Sequence, residues 1–147
     1  MSRIAIKPTL QPELFVYSFP VRVYFENTDA GGVVYHGEYL KFLERARTEW
    51  LRHLGFDHQA LARNHRTMFV VTSINADFMK AARLDDNVAV SVHLESLGKV
   101  RCVFAQEIRR DDEVLVKAKV TVACVSGDNL KPTEIPEPLR KKMEAAL

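Results

Sequence analysis

From Phe19 to Glu26 apolar and polar side chains alternate, with Val21, Val23 and Phe25 on one side and Arg22, Tyr24 and Glu26 on the other. A period of two predicts a half-buried strand. From His36 to Leu54 the period lengthens: Tyr39, Phe42, Leu43, Ala46, Trp50 and Leu54 share one face of a helix, opposite Lys41, Glu44, Arg45, Thr48 and Arg52. Gly55 supplies a stop signal. At 1.5 Å per residue this helix is roughly 28 Å long, and its aromatic stripe demands a broad apolar cover. A shorter helical piece is predicted between Asp57 and Asn64.

The rest reads as strands. Thr67 to Phe78 is rich in Val, Ile, Thr and Phe. Val88, Val90, Val92 and Leu94 alternate with Ala89, Ser91, His93 and Glu95; Cys102, Phe104 and Ile108 share a face; Val114, Val116, Ala118, Val120 and Val122 share another. Turn formers separate them at Asp85-Asp86-Asn87, Leu97-Gly98-Lys99 and Arg110-Asp111-Asp112. Close spacing predicts an antiparallel meander. Residues 1–18, with Pro8 and Pro12, read as an irregular lead-in, and Pro132, Pro136 and Pro138 precede a short amphipathic tail. The order strand, long helix, four strands buries both apolar faces most simply when the sheet wraps around the helix. The predicted class is α+β, with residues 1–147 forming a single domain.

Composition narrows the function. The chain has 147 residues, enough for one core without staples. With 21 basic against 19 acidic side chains and no dense cationic tract, nucleic acid is not the expected partner. Cys102 and Cys124 sit in apolar runs without metal-ligand spacing, so both are expected to be buried thiols of a reducing compartment. There is neither a signal-peptide core at the start nor an apolar run of membrane-spanning length, which predicts a cytoplasmic protein that does not insert into membranes. No metal or other cofactor is implied.

The chemistry concentrates between the first strand and the long helix. There Thr28-Asp29-Ala30-Gly31-Gly32-Val33-Val34-Tyr35-His36 places a carboxylate and paired glycines just ahead of a helix N-terminus. Glycines permit close backbone approach, and the N–H groups and positive dipole end of a helix stabilise developing negative charge. Such a unit suits attack on a carbonyl, where one oxyanion donor is worth about 2.7–4 kcal/mol. The same residues also suit a plain turn: Asp29 as a turn former or cap, and His36 as a capping or surface histidine. Local sequence leaves both readings open.

The segment resembles the signature of the 4-hydroxybenzoyl-CoA thioesterase branch of the hotdog superfamily. It is most similar to the Tol-Pal-associated acyl-CoA thioesterases of the YbgC type. The matching text is Arg22-Val23-Tyr24, Thr28 through His36, Tyr39-Leu40, Glu44 through Glu49, and Ala82-Arg83-Leu84-Asp85-Asp86. The resemblance spans about residues 19 to 136. It implies a hotdog fold, an antiparallel five-stranded sheet wrapped around a long central helix, and hydrolysis of acyl-CoA or acyl-carrier-protein thioesters.

Residue by residue, the resemblance makes Asp29 the catalytic carboxylate and gives His36 a role at the helix start. Gly31, Gly32, Val33 and Tyr35 then border the thioester. Glu44 falls where hydroxybenzoyl enzymes read the substrate phenol, though a solvated helix residue fits it as well. Lys99, Arg101 and Lys131 fall near positions that meet CoA phosphates, on a surface where lysines are also ordinary. Two positions depart from the YbgC pattern: Phe25 stands where those sequences resemble Tyr, and Asn27 where they resemble Asp. A hydroxyl at position 25 is therefore missing.

Rival chemistries find less support. There is no GxSxG elbow, no HExxH spacing among the histidines and no nucleotide-binding glycine pattern. The hydratase branch of the same superfamily uses a tighter Asp–His spacing than the one between Asp29 and His36. A non-catalytic acyl-CoA or acyl-carrier-protein binding module is the other alternative. A single curved sheet leaves edges open, and the resemblance implies a homodimer with sites between subunits, paired further into a homotetramer.

Overall fold

The computed structural model describes residues 16–147. In chain order they form β1 (Tyr17–Arg22), a 3-10 turn (Phe25–Asn27), α1 (His36–His53), α2 (His58–His65), β2 (Thr67–Phe78), β3 (Asn87–Leu97), β4 (Arg101–Arg110), β5 (Glu113–Ser126) and α3 (Glu137–Ala145). The five strands make one antiparallel sheet in the order β1-β3-β4-β5-β2.

The helical stripe is buried as its periodicity requires. Tyr39, Phe42, Leu43, Ala46 and Trp50 pack with Val88, Val90, Val92 and Leu94 of β3 and with Val116 and Val120 of β5. Trp50 meets Phe104 edge-on at 5.1 Å. Each such side chain contributes about 1.5–3 kcal/mol by leaving water. Leu51, on the rim of the stripe, is buried as well. The helix ends at His53 with Leu54 as its cap, and Gly55 takes φ +95°, the left-handed conformation that lets the chain turn away. Asp57 caps α2 by accepting a 2.7 Å hydrogen bond from the Ala60 N–H. Cys102 and Cys124 are buried free thiols, and burial pushes the Cys102 thiol up to about 12.

Three expectations need correction. The first strand begins at Tyr17, so Tyr17 and Ser18 are not part of an irregular lead-in; residues 1–15, with Pro8 and Pro12, lie outside the described residues. That strand also ends at Arg22 rather than Glu26. Its ladder runs out where Arg22 meets Asn87, the first residue of β3. Val23 still exchanges backbone hydrogen bonds with Asp85 and Asp86 of the turn before β3; past it the chain enters the 3-10 turn, and Phe25, expected on the buried face with Val21 and Val23, is 80% exposed. Finally, the four later strands are not one meander. Only β3, β4 and β5 follow each other in space, while β2 crosses to the far edge and pairs with β5, from Thr67 opposite Ser126 to Phe78 opposite Val116. Sequence adjacency of β2 and β3 hid this crossover, which the residues 79–86 make possible.

Among the described residues, no helix is long and apolar enough to cross a membrane.

Candidate active site

Asp29 sits in a tight loop that returns on itself. Thr28 bridges Val34, the Asp29 N–H donates to the Val33 carbonyl at 2.9 Å, and the Gly32 N–H donates back to the Asp29 carbonyl at 3.0 Å. Gly32 has φ +80°, which an L side chain rarely adopts. Gly31 is needed for space: a Cβ there would lie 3.3 Å from Asp29 Oδ1. That oxygen accepts the Gly31 N–H at 2.8 Å, so Asp29 does act as a turn former. Oδ2 has no partner among the described residues, and the side chain is exposed.

The loop is held against the fold behind it. The Val34 N–H donates to the Ala82 carbonyl at 2.9 Å, Val33 bridges Arg83, and the Ala82 N–H donates to the buried Tyr39 hydroxyl at 2.9 Å. Tyr35 is the N-cap of α1 but offers no side-chain cap. Its own N–H is taken by the Asn27 carbonyl at 3.1 Å, and the Glu38 N–H returns to the Tyr35 carbonyl at 2.8 Å. Between them, the N–H groups of His36 and Gly37 find no acceptor among the described residues. They are the orphan donors that any helix start leaves, and here they stand beside an exposed carboxylate-bearing loop.

The His36 ring stacks on Tyr35, with centroids 4.9 Å apart, and tilts against Phe78 at 5.8 Å. No hydrogen bond or ion pair joins it to Asp29 among the described residues. Sequence reasoning missed Phe78 as a neighbour of the helix start, since only the crossover of β2 brings it there. It also passed over the Asn27–Glu38 contact: Asn27 Nδ2 donates to Glu38 Oε1 at 2.7 Å. A glutamate three residues past a helix cap was the available signal.

The remaining predicted residues divide by position. Glu44 is exposed on α1 and lines a cleft with Arg47, Thr48, Leu51, Phe69 and Val71, between α1 and β2. Arg47 donates to Gln106 Oε1 at 3.0 Å. Lys99, Arg101 and Lys131 gather, exposed, at one end of the sheet, where Cys124 N–H meets the Val100 carbonyl and Ser126 N–H meets the Lys131 carbonyl. The Asp29 loop belongs to the other end, next to Arg22 and Asn87. At roughly 3.3 Å per strand residue the two ends are about 30 Å apart. Within one protomer the structure does not bring those cations to Asp29.

Comparison with known proteins identifies the family. Residues 31–117 match the model of the thioesterase superfamily. The chain belongs to that superfamily. This thioesterase is 45% identical over 124 residues to the acyl-CoA thioesterase YbgC of Haemophilus influenzae, covering 84% of this chain and 91% of that one. It is 43% identical over 123 residues to the acyl-CoA thioester hydrolase YbgC of Escherichia coli O157:H7, covering 83% and 91%. The crystal structure of the "Probable Thioesterase" from Bartonella henselae superimposes with a TM-score of 0.79 at 35% identity, covering 82% of this chain and 99% of that one. The architecture is the hotdog fold, as the resemblance implied, and the chain is a thioester hydrolase by family.

Proposed function

We propose that this thioesterase hydrolyses acyl-CoA thioesters to a carboxylic acid and CoA, with Asp29 as the catalytic carboxylate. The observation that carries this reading is the pair of unpartnered N–H groups, His36 and Gly37, at the end of the loop that carries Asp29, whose Oδ2 has no partner among the described residues. A thioester carbonyl oxygen received by these donors becomes more electrophilic, and the negative charge that develops on it is stabilised by the helix dipole. Tyr35, expected to help, has its N–H occupied, so Gly37 takes that part.

Two routes conserve atoms and charge. Asp29 takes a proton from water as the water oxygen adds to the carbonyl carbon; the tetrahedral adduct then expels the thiolate as the C–S bond breaks. Alternatively Asp29 adds to the carbon itself, expels the thiolate, and water cleaves the resulting anhydride. His36, exposed at the same helix start, is suited to deliver a proton to the departing sulfur. Gly31, Gly32 and Val33 shape the loop around the reacting group, and the cleft between α1 and β2 offers room for the acyl chain.

The site is completed by a second copy of the chain. β2 is an edge strand, and Val71, Ile74 and Phe78 on it are each at least 40% exposed. Phe78 lies against His36, so a protomer pairing along β2 covers the helix start and excludes water from it. Such pairing also gives Lys99, Arg101 and Lys131 a route to the CoA phosphates, from the neighbouring subunit. Further pairing to a homotetramer, and acyl carrier protein as an alternative carrier, fit the same reading.

Replacing Asp29 by Asn tests it. Release of free thiol from a panel of acyl-CoAs is expected to fall on the order of 10²–10⁴-fold, the usual contribution of a positioned acid–base group. Near-native hydrolysis by a folded D29N protein refutes the assignment. A non-catalytic acyl-CoA binder would release no thiol even as the wild type.

A further inference from the structure

Asn27 is one of three buried polar residues in the described chain, with Thr67 and Gln106, and it alone joins the Asp29 loop to the central helix. Its N–H donates to the Tyr24 carbonyl at 2.9 Å, and its Oδ1 accepts the Tyr24 N–H at 2.8 Å. Its carbonyl accepts the Tyr35 N–H at 3.1 Å. Its side-chain amide donates to Glu38 Oε1 at 2.7 Å. The loop carrying Asp29 leaves from Asn27 and returns to it at Tyr35, so both of its ends close on one residue. Glu38 in turn belongs to the first turn of α1, directly after the free N–H groups of His36 and Gly37.

We propose that Asn27, acting through Glu38, is a positioning residue for the thioesterase reaction, setting the separation between the Asp29 carboxylate and the unpartnered N–H groups of α1. The inference rests on the catalytic reading of Asp29 given above. Its chemistry is specific to an amide. Position 27 must accept from Tyr24 and donate to Glu38 at once, and asparagine does both without a titratable proton. An aspartate of the same shape has only acceptors to offer. It would set two carboxylate oxygens within hydrogen-bond distance, an arrangement that holds only while the pair shares a proton.

The basic side chains on its own helix favour an ionised Glu38. Its other oxygen accepts from Lys41 Nζ at 3.0 Å, and Arg45 adds a favourable field from the same helix. The Asn27 hydrogen bond foremost, then Lys41, holds the Glu38 carboxyl below its ordinary value. On the loop side the neighbouring carboxylates are Glu26 and Asp29. The native bridge therefore stays intact across the neutral range.

The test is a pH series of acyl-CoA hydrolysis for N27D, E38Q and N27D/E38Q beside the wild type, with Tm recorded for each. For N27D, kcat relative to wild type is expected to fall on the order of 100-fold at about pH 8, the scale of a 1 Å misplacement. KM should stay within about threefold. The ratio should climb as pH falls toward about 5 and the carboxyl pair gains its shared proton. N27D/E38Q should recover at every pH, since a glutamine amide at position 38 donates to the new carboxylate and its oxygen still accepts from Lys41. An N27D ratio that is flat with pH, or a double variant as slow as N27D despite a wild-type Tm, overturns the inference. If D29N is dead while N27D is flat, only the positioning role fails; if D29N stays active, the catalytic reading fails first.

Discussion

The imidazole of His36 and the ring of Phe78 lie 5.8 Å apart, joining the first residue of the central helix to the last residue of the edge strand β2. The start of the helix, where the reaction is proposed to occur, and the unpaired edge of the sheet are thereby one surface. An exposed edge strand with apolar side chains invites pairing with another strand, and whatever pairs there also roofs the site. Assembly and activity should fail together. Ile74→Lys places a charge on this edge, and sedimentation is expected to show a shift toward monomer with a parallel loss of thiol release. A monomeric I74K protein with full activity, or a wild type that sediments as a monomer, contradicts the shared surface.

The two loop glycines are there for different reasons, and substitution should separate them. At Gly32 the obstacle is conformation: φ is +80° with nothing within 4 Å of a built Cβ. Gly32→Ala is expected to cost about 1–2 kcal/mol, the usual penalty for an L residue in the left-handed region, and to lower Tm. At Gly31 the obstacle is the Asp29 carboxylate itself, 3.3 Å from the added methyl. Gly31→Ala should leave Tm nearly unchanged while lowering kcat, because the atom that must give way is Asp29 Oδ1. Equal effects on Tm from both would argue against this division.

Behind the site, Arg110 ties the segment between β2 and β3 to the sheet. Its guanidinium donates to Asp86 Oδ2 at 2.7 Å, to Glu113 Oε1 at 2.7 Å and to the Ala81 carbonyl at 3.2 Å. Burial works to raise the Asp86 carboxyl, but the hydrogen bonds from Arg110 and from the Arg83 N–H outweigh it and hold it below its ordinary value. Hydrogen bonds from Lys80 and then Arg110 lower Glu113 likewise. Carboxyls depressed in the folded state contribute stability that is present above their unfolded values and is lost as pH falls through the folded ones. Tm should therefore be level above about pH 5 and drop as the pH passes below about 4. Arg110→Met should lower the plateau and flatten this acid limb. An unchanged slope in thermal melts would remove the network from the account.

Much of this protein was legible from one dimension because the governing forces are local. The period of two in β3, the 3.6 period from Tyr39 to Trp50 and the stop at Gly55 each express how side chains project from a strand or helix. They located α1 to within a residue of its end and gave the α+β class. The loop from Thr28 to Gly32 was legible for a similar reason: left-handed backbone and a carboxylate's bond to a nearby N–H are short-range demands, met by neighbours in sequence. Tertiary structure decided everything that depends on which distant partner is present. β1 stops at Arg22 because β3 starts at Asn87, and no alternation within Phe19–Glu26 encodes that limit. β2 lies beyond β5 rather than beside β3, which puts Phe78 against His36 and leaves an apolar edge open. Asn27 meets Glu38 only because the chain doubles back between them. Lys99, Arg101 and Lys131 are remote from Asp29 because antiparallel pairing sends the turn after β3 to the far end of the sheet.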